Sequence, residues 1–129
     1  MATDKQKQGQ ANREWGKQAE DIAADYLTAE GYVIRERNWR CGNHIEIDII
    51  AQEGTTIAFV EVKARKGDCL LPDESVDLAK QKKIIKGGDI YLRNQTKFYE
   101  YRLDVITLTG TPDNYQLSHL KDAFLPPLS

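Results

Sequence analysis

Two carboxylates in the middle of adjacent strands constrain this chain more than any other feature. Ile45-Glu46-Ile47-Asp48-Ile49 alternates apolar and acidic residues with the period of a β-strand, which puts Glu46 and Asp48 on one face. Gly54 supplies a turn within 52–55, and the next strand, 57–64, is apolar until Glu61-Val62-Lys63. Strand interiors bury at least one face, so acids there need a reason to persist. If the hairpin pairs around Gly54, Asp48 and Glu61 come side by side. Clustered carboxylates repel and are best kept where a divalent cation sits between them. Hard oxygen donors of this kind suit magnesium or manganese.

Lys63 is two residues beyond Glu61 on the same face, about 7 Å along the strand. An ammonium there can orient an attacking water or offset charge that builds on a phosphate. Asp48, Glu61 and Lys63 with a metal are thus the parts of a phosphodiester hydrolase. Glu20 is a fourth candidate, lying on a helix beside its apolar stripe, where its carboxylate would complete the metal site with Asp48 and Glu61. Glu46 is either an accessory ligand or a support. The pattern D-x(12)-E-x-K is loose, and a solvated strand face is the plain alternative.

The rest of the chain frames these strands. Apolar residues at Trp15, Ala19, Ile22, Ala23, Tyr26 and Leu27 predict a helix over 13–30, stopped by Gly31. A first strand follows from Tyr32 to Arg40. After a loop over 67–72, Asp73 or Ser75 is positioned to cap a second helix reaching Asn94, with Gly87-Gly88 weakening or kinking its middle. A further strand spans 99–108, with a short one around 115–117. The order α-β-β-β-α-β predicts an α/β fold, a mixed β-sheet flanked by helices. Residues 1–12 are polar and read as a flexible N-terminal arm ahead of one domain over 13–129.

Charge narrows the partners. A net charge of −2 speaks against a protein that coats nucleic acid by bulk electrostatics, but leaves room for a local basic groove. Arg37, Arg40 and Arg65 near the acidic strands, and Lys82, Lys83 and Lys86 on the second helix, are the candidate phosphate contacts. For the lysines a solvated helix face is the plainer reading. Cys41-x-x-His44 lacks a second pair for zinc, and two cysteines fit reduced thiols. No apolar run has membrane-spanning length and the start carries no signal peptide, so a cytoplasmic protein is expected. Arg102 and Asp104 alternate on one face of the late strand and read as an internal ion pair.

Several ordered motifs carry a resemblance: Gly16-x-x-x-Glu20-x-x-Ala23-x-x-Tyr26-Leu27-x-x-x-Gly31-Tyr32, Arg37-Asn38-x-Arg40, Glu46-Ile47-Asp48-Ile49-Ile50-Ala51, Phe59-Val60-Glu61-Val62-Lys63-x-Arg65 and Arg102-Leu103-Asp104-Val105-Ile106. Together they resemble the YraN-like family of bacterial proteins over about residues 13–125. The resemblance implies the restriction-endonuclease-like fold of PD-(D/E)XK nucleases, distantly similar to archaeal Holliday-junction resolvases. It maps Glu20, Asp48, Glu61 and Lys63 onto the catalytic set of a magnesium- or manganese-dependent endonuclease acting on structured DNA. It also implies a homodimer, since a junction is cut on two strands. The other reading is a catalytically weak or inactive nucleic-acid- or partner-binding module of the same fold. Two positions depart from the family pattern: Ile45 stands where glycine is usual, and Gly87-Gly88 where small helix formers are usual.

Overall fold

A computed structural model describes residues 3–66 and 76–124. The elements are α1 (Asp4–Ala29), β1 (Val33–Cys41), β2 (Ile45–Glu53), β3 (Thr56–Arg65), α2 (Leu78–Arg93), β4 (Glu100–Thr111) and β5 (Asn114–Leu120). The five strands form one mixed sheet in the order β1-β2-β3-β4-β5. Neighbours pair antiparallel except β3 and β4, which run parallel because α2 carries the chain back across the sheet. The expected α/β architecture is thus present, extended by β5, which is longer than the segment around 115–117 implied.

Helix α1 begins at Asp4, not at Arg13, so residues 4–12 are helical where an arm was expected. The signal is a capping box: Thr3 Oγ1 accepts from Gln6 N at 3.1 Å while Gln6 Oε1 accepts from Thr3 N at 2.8 Å. At the other end Gly31 adopts φ +96° and ends the helix as its position implies. Asp73 and Ser75, expected to cap α2, and the loop over 67–72 lie outside the described residues for all positions from 67 to 75. The observed cap is Asp77, whose Oδ1 accepts from Lys80 N at 2.8 Å.

Each face of the sheet is closed by one helix. Trp15, Ala19, Ala23 and Leu27 of α1 pack on Ile49, Ala51, Ala58, Val60, Ile106 and Leu108. Ile84 and Tyr91 of α2 pack on Ile47, Ile50, Ile57, Phe59 and Leu103. On the α1 side, paired with Val60 and so one register step from Glu61, Asp104 is fully buried. It accepts from Arg102 Nε at 2.9 Å, His119 Nε2 at 2.8 Å and Asp122 N at 3.2 Å. Arg102 also donates to Tyr32 Oη at 2.6 Å, and Tyr26 Oη meets His119 Nδ1 at 3.0 Å. Burial alone raises a carboxyl pKa, yet the bonds from His119 and Arg102 outweigh it and hold Asp104 below its usual value. The Arg102–Asp104 pair is therefore internal, and it ties α1, β4 and β5 together.

The glycine pair does not break α2. Both glycines are buried, and each lets the helix approach the sheet. A Cβ on Gly87 would lie 2.6 Å from Ile45 Cγ2 and 3.3 Å from Ile47 Cδ1; one on Gly88 would lie 3.0 Å from the Phe59 ring. The two departures from the family pattern thus touch each other, with Gly87 leaving the space that the Ile45 side chain fills. Alanine at 87 gains about 1 kcal/mol of helix propensity but meets an overpacking cost of about 1–3 kcal/mol. Gly87→Ala is expected to lower the urea midpoint, and to cost less in an Ile45→Ala background. Additive midpoint shifts would show that the two positions are not coupled.

Candidate active site

The acidic strand does not keep its alternation. Ile47 packs on the α2 side and Ile49, two residues on, on the α1 side, so β2 reverses faces at Asp48. The partner strand reverses at the same level. Arg37 pairs with Ile49 and Trp39 with Ile47, and Asn38 between them takes the left-handed conformation at φ +52°. Glu46 and Asp48 therefore do not share a regular strand face, as period-two spacing had them do. The β2–β3 pairing runs from Glu53 with Thr56 to Ile49 with Val60. Just beyond it, Asp48 Oδ2 accepts from Val62 N at 2.9 Å. A side chain here takes up a backbone donor where the strands part.

Glu61 follows Val60 on β3 and lies next to Asp48. It is 3% exposed, its Oε1 contacts Lys80 Nζ of α2, and its Oε2 has no hydrogen-bond partner among the described residues. Burial first, and then the charge of Asp48, push the Glu61 carboxyl up to about 7, although Lys80 and Lys63 pull the other way. Asp48 is raised too, by burial, against the Val62 bond and the charge of Lys80. Glu20 on α1 faces the same acids. Burial and then Asp48 raise it, while Arg37 and a hydrogen bond with Asn38 lower it. Glu46 adds to the negative field felt by both Glu20 and Asp48. Asp48, Glu46, His44, Asp77, Lys80 and Lys83 line one cleft of about 370 Å³ at the end of α2.

The expected acids and Lys63 thus gather where the sheet opens between the helices. The basic residues divide. Arg37 donates to Asp21 at 2.7 Å beside Glu20, and the largely exposed Arg40 is 3.8 Å from Glu46. Arg65 ends β3, where its carbonyl accepts from Trp15 Nε1 at 3.3 Å. Lys83 lines the acidic cleft, but Lys82 and Lys86 line a separate groove of about 280 Å³ with Phe59, Asp89 and Tyr101. Two other side chains near the site serve packing. Trp39 stacks edge-on against Tyr91 at 5.5 Å, and Arg35 donates to Tyr91 Oη, Gln52 and Gln95.

Spacing among the basic helix residues left Lys80 out of the site. The apolar face of α2 carried a signal: Lys80 precedes the buried Ile84 by four residues, so it faces the sheet. Asn38 gave none, because its left-handed turn follows from strand pairing.

The chain belongs to the uncharacterised protein family UPF0102, whose model matches residues 19–108. It is 41% identical to a UPF0102 protein of Bacteroides thetaiotaomicron over 118 residues, covering 91% of this chain and 97% of that one. It is 42% identical to a UPF0102 protein of Chlorobium chlorochromatii, with 86% and 91% covered. A third, from Dictyoglomus turgidum, is 39% identical with 88% and 98% covered. The matched span holds Glu20, Asp48, Glu61 and Lys63. This is the family of the YraN-like resemblance.

Among the described residues no group of three His, Cys, Asp or Glu side chains encloses an ion unaided. Magnesium does not demand one, since it keeps several waters and binds through one or two carboxylates. The adjacent Asp48 and Glu61, and the buried unpartnered Glu61 Oε2, fit such an ion.

The Glu61 proton has a measurable consequence. Its folded pKa of about 7 lies above the ordinary 4.5, so the folded state holds a proton that the unfolded state has lost. Stability from this group is full below about 4.5 and is lost as pH rises through about 7. Glu61→Gln, neutral throughout, should gain melting temperature relative to wild type between pH 5 and 8 without divalent ions. A difference that does not change with pH would show that Glu61 is ionised throughout.

Proposed function

We propose that this UPF0102 protein is a metal-dependent endonuclease of the PD-(D/E)XK type that hydrolyses phosphodiester bonds in structured DNA. The observation that carries the reading is the carboxylate pair: Asp48 fixed by Val62 N–H, beside a buried Glu61 whose Oε2 has no hydrogen-bond partner among the described residues. Two like charges so placed destabilise each other unless a proton is retained between them or a cation joins them, and a cation is the remedy that persists above pH 7.

Asp48 and Glu61 would hold magnesium or manganese. When bound, such an ion supplies a nucleophilic water at neutral pH and draws charge off the phosphate. Lys63, two residues along β3 from Glu61, offsets negative charge on the phosphate oxygens as the water adds to phosphorus. Glu20, on the opposite helix, is the carboxylate left to accept a proton from that water; Asn38 orients it by a hydrogen bond, and the charge of Arg37, itself held by Asp21, favours its ionised form. Lys83 in the cleft, Arg40 beside Glu46 and Arg37 beside Glu20 would meet the phosphates of the DNA. Lys82 and Lys86, on the neighbouring groove, would meet only a strand that continues past the site.

A second reading, a binding module without turnover, is favoured by one observation: Lys80 already sits on the carboxylate pair.

A labelled panel of single strand, duplex, flap and four-way junction separates the two readings. Cleavage is expected with magnesium or manganese and not with chelator, and Lys63→Ala and Asp48→Asn should lower the rate by about 100-fold or more. Binding without cleavage, unchanged by these substitutions, would establish the binding module and remove the nuclease.

A further inference from the structure

Among the described residues, the cations around the acids engage them differently. Arg37 pairs with Asp21, and Arg40 approaches Glu46 at the rim. Lys80 differs. Its Nζ rests on Glu61 Oε1, and its charge acts on Asp48 and Glu46 as well. Burial lowers the pKa of this ammonium, but the bond and charge of Glu61, with Asp48 and Glu46, outweigh it and raise the net value. The backbone is equally placed: Lys80 N is the donor that Asp77 caps, so the first turn of α2 presents this side chain to the cleft. A single ammonium is nevertheless a poor substitute for a divalent ion. It satisfies Oε1 and leaves Oε2 of the same buried carboxylate without a partner among the described residues.

We propose that Lys80 is a built-in counter-cation that holds the Asp48–Glu61 pair in the absence of metal and must be displaced for a divalent ion to enter. This rests on the carboxylates being a metal site. Both cations need the same Glu61 carboxylate, and like charges at contact distance repel. The Lys80 side chain is about half exposed, so it has an open path to solvent when it leaves. The competition sets how much metal is needed before the site fills. It keeps the acids from repelling one another until then.

The test is manganese affinity at pH 8, followed by the electron paramagnetic resonance of the free ion, in wild type, Lys80→Met and Lys80→Arg. Methionine keeps the length and removes the charge. Lys80→Met is expected to bind manganese about tenfold more tightly than wild type, equivalent to about 1.4 kcal/mol, and Lys80→Arg no more tightly than wild type. Wild type and Lys80→Met binding equally would overturn the counter-cation and leave the metal site standing. No binding by any of the three would remove both. A measurement on wild type alone guards against a folding defect. Reductive methylation read by mass spectrometry should label Lys80 slowly without metal and several-fold faster with magnesium, while Lys82 stays constant. Equal labelling of Lys80 in both conditions would also overturn the proposal.

Discussion

The bond from Val62 N–H to Asp48 holds the site together. Two strands that continued their ladder would consume that donor in a backbone pair and keep their side chains in register on two faces. Here β2 turns over at Asp48, Asn38 turns over beside it, and a carboxylate takes the donor instead. The reversal puts an acid from β2 next to an acid from β3 at the mouth of the sheet, where both helices supply side chains. The cost is two carboxylates in a desolvated place, visible in the raised proton affinity of Asp48, Glu61 and Glu20 together. Structural ion pairs do not require that arrangement. Asp104, fully buried in the same sheet, shows what a structural acid looks like: its hydrogen-bond partners are donors and its proton affinity falls.

These two acids mark two opposite environments on the two faces of one sheet. Around Asp104 a guanidinium, an imidazole, a backbone N–H and two tyrosines lock α1 to β4 and β5. Around Asp48 the same sheet is left with neighbouring carboxyls and, among the described residues, an oxygen without a partner. The close approach of α2, which the buried glycines allow, sets the distance from Lys80 and Lys83 to the acids. A helix held further off would leave Glu61 facing water, with its pKa nearer the ordinary range.

Much of this was legible in the residues. Hairpin geometry around Gly54 put Asp48 beside Glu61, because antiparallel pairing with a short turn fixes which residues meet. The apolar stripe on α1 set Glu20 toward the sheet, and Gly31 ended that helix. What failed were places where tertiary contacts override a local rule. Gly87-Gly88 reads as a weak point in a helix, since propensity cannot see Ile45 and Phe59 pressing on it. The alternation of Glu46 and Asp48 reads as one face, since a left-handed residue on the neighbouring strand leaves no mark on β2 itself. The polar start reads as an arm because its N-cap, Thr3, lies twelve residues ahead of the first buried side chain, Trp15.

The central claim, that Asp48 and Glu61 together form a seat for a divalent cation, is tested most directly by anomalous diffraction from crystals of the wild-type protein grown with manganese. The account predicts one anomalous peak bridging the two carboxylates, about 2.0–2.3 Å from an oxygen of each, with Lys80 withdrawn from Glu61. Crystals that diffract well in the same solution with no peak there, and with Lys80 still on Glu61, would contradict it.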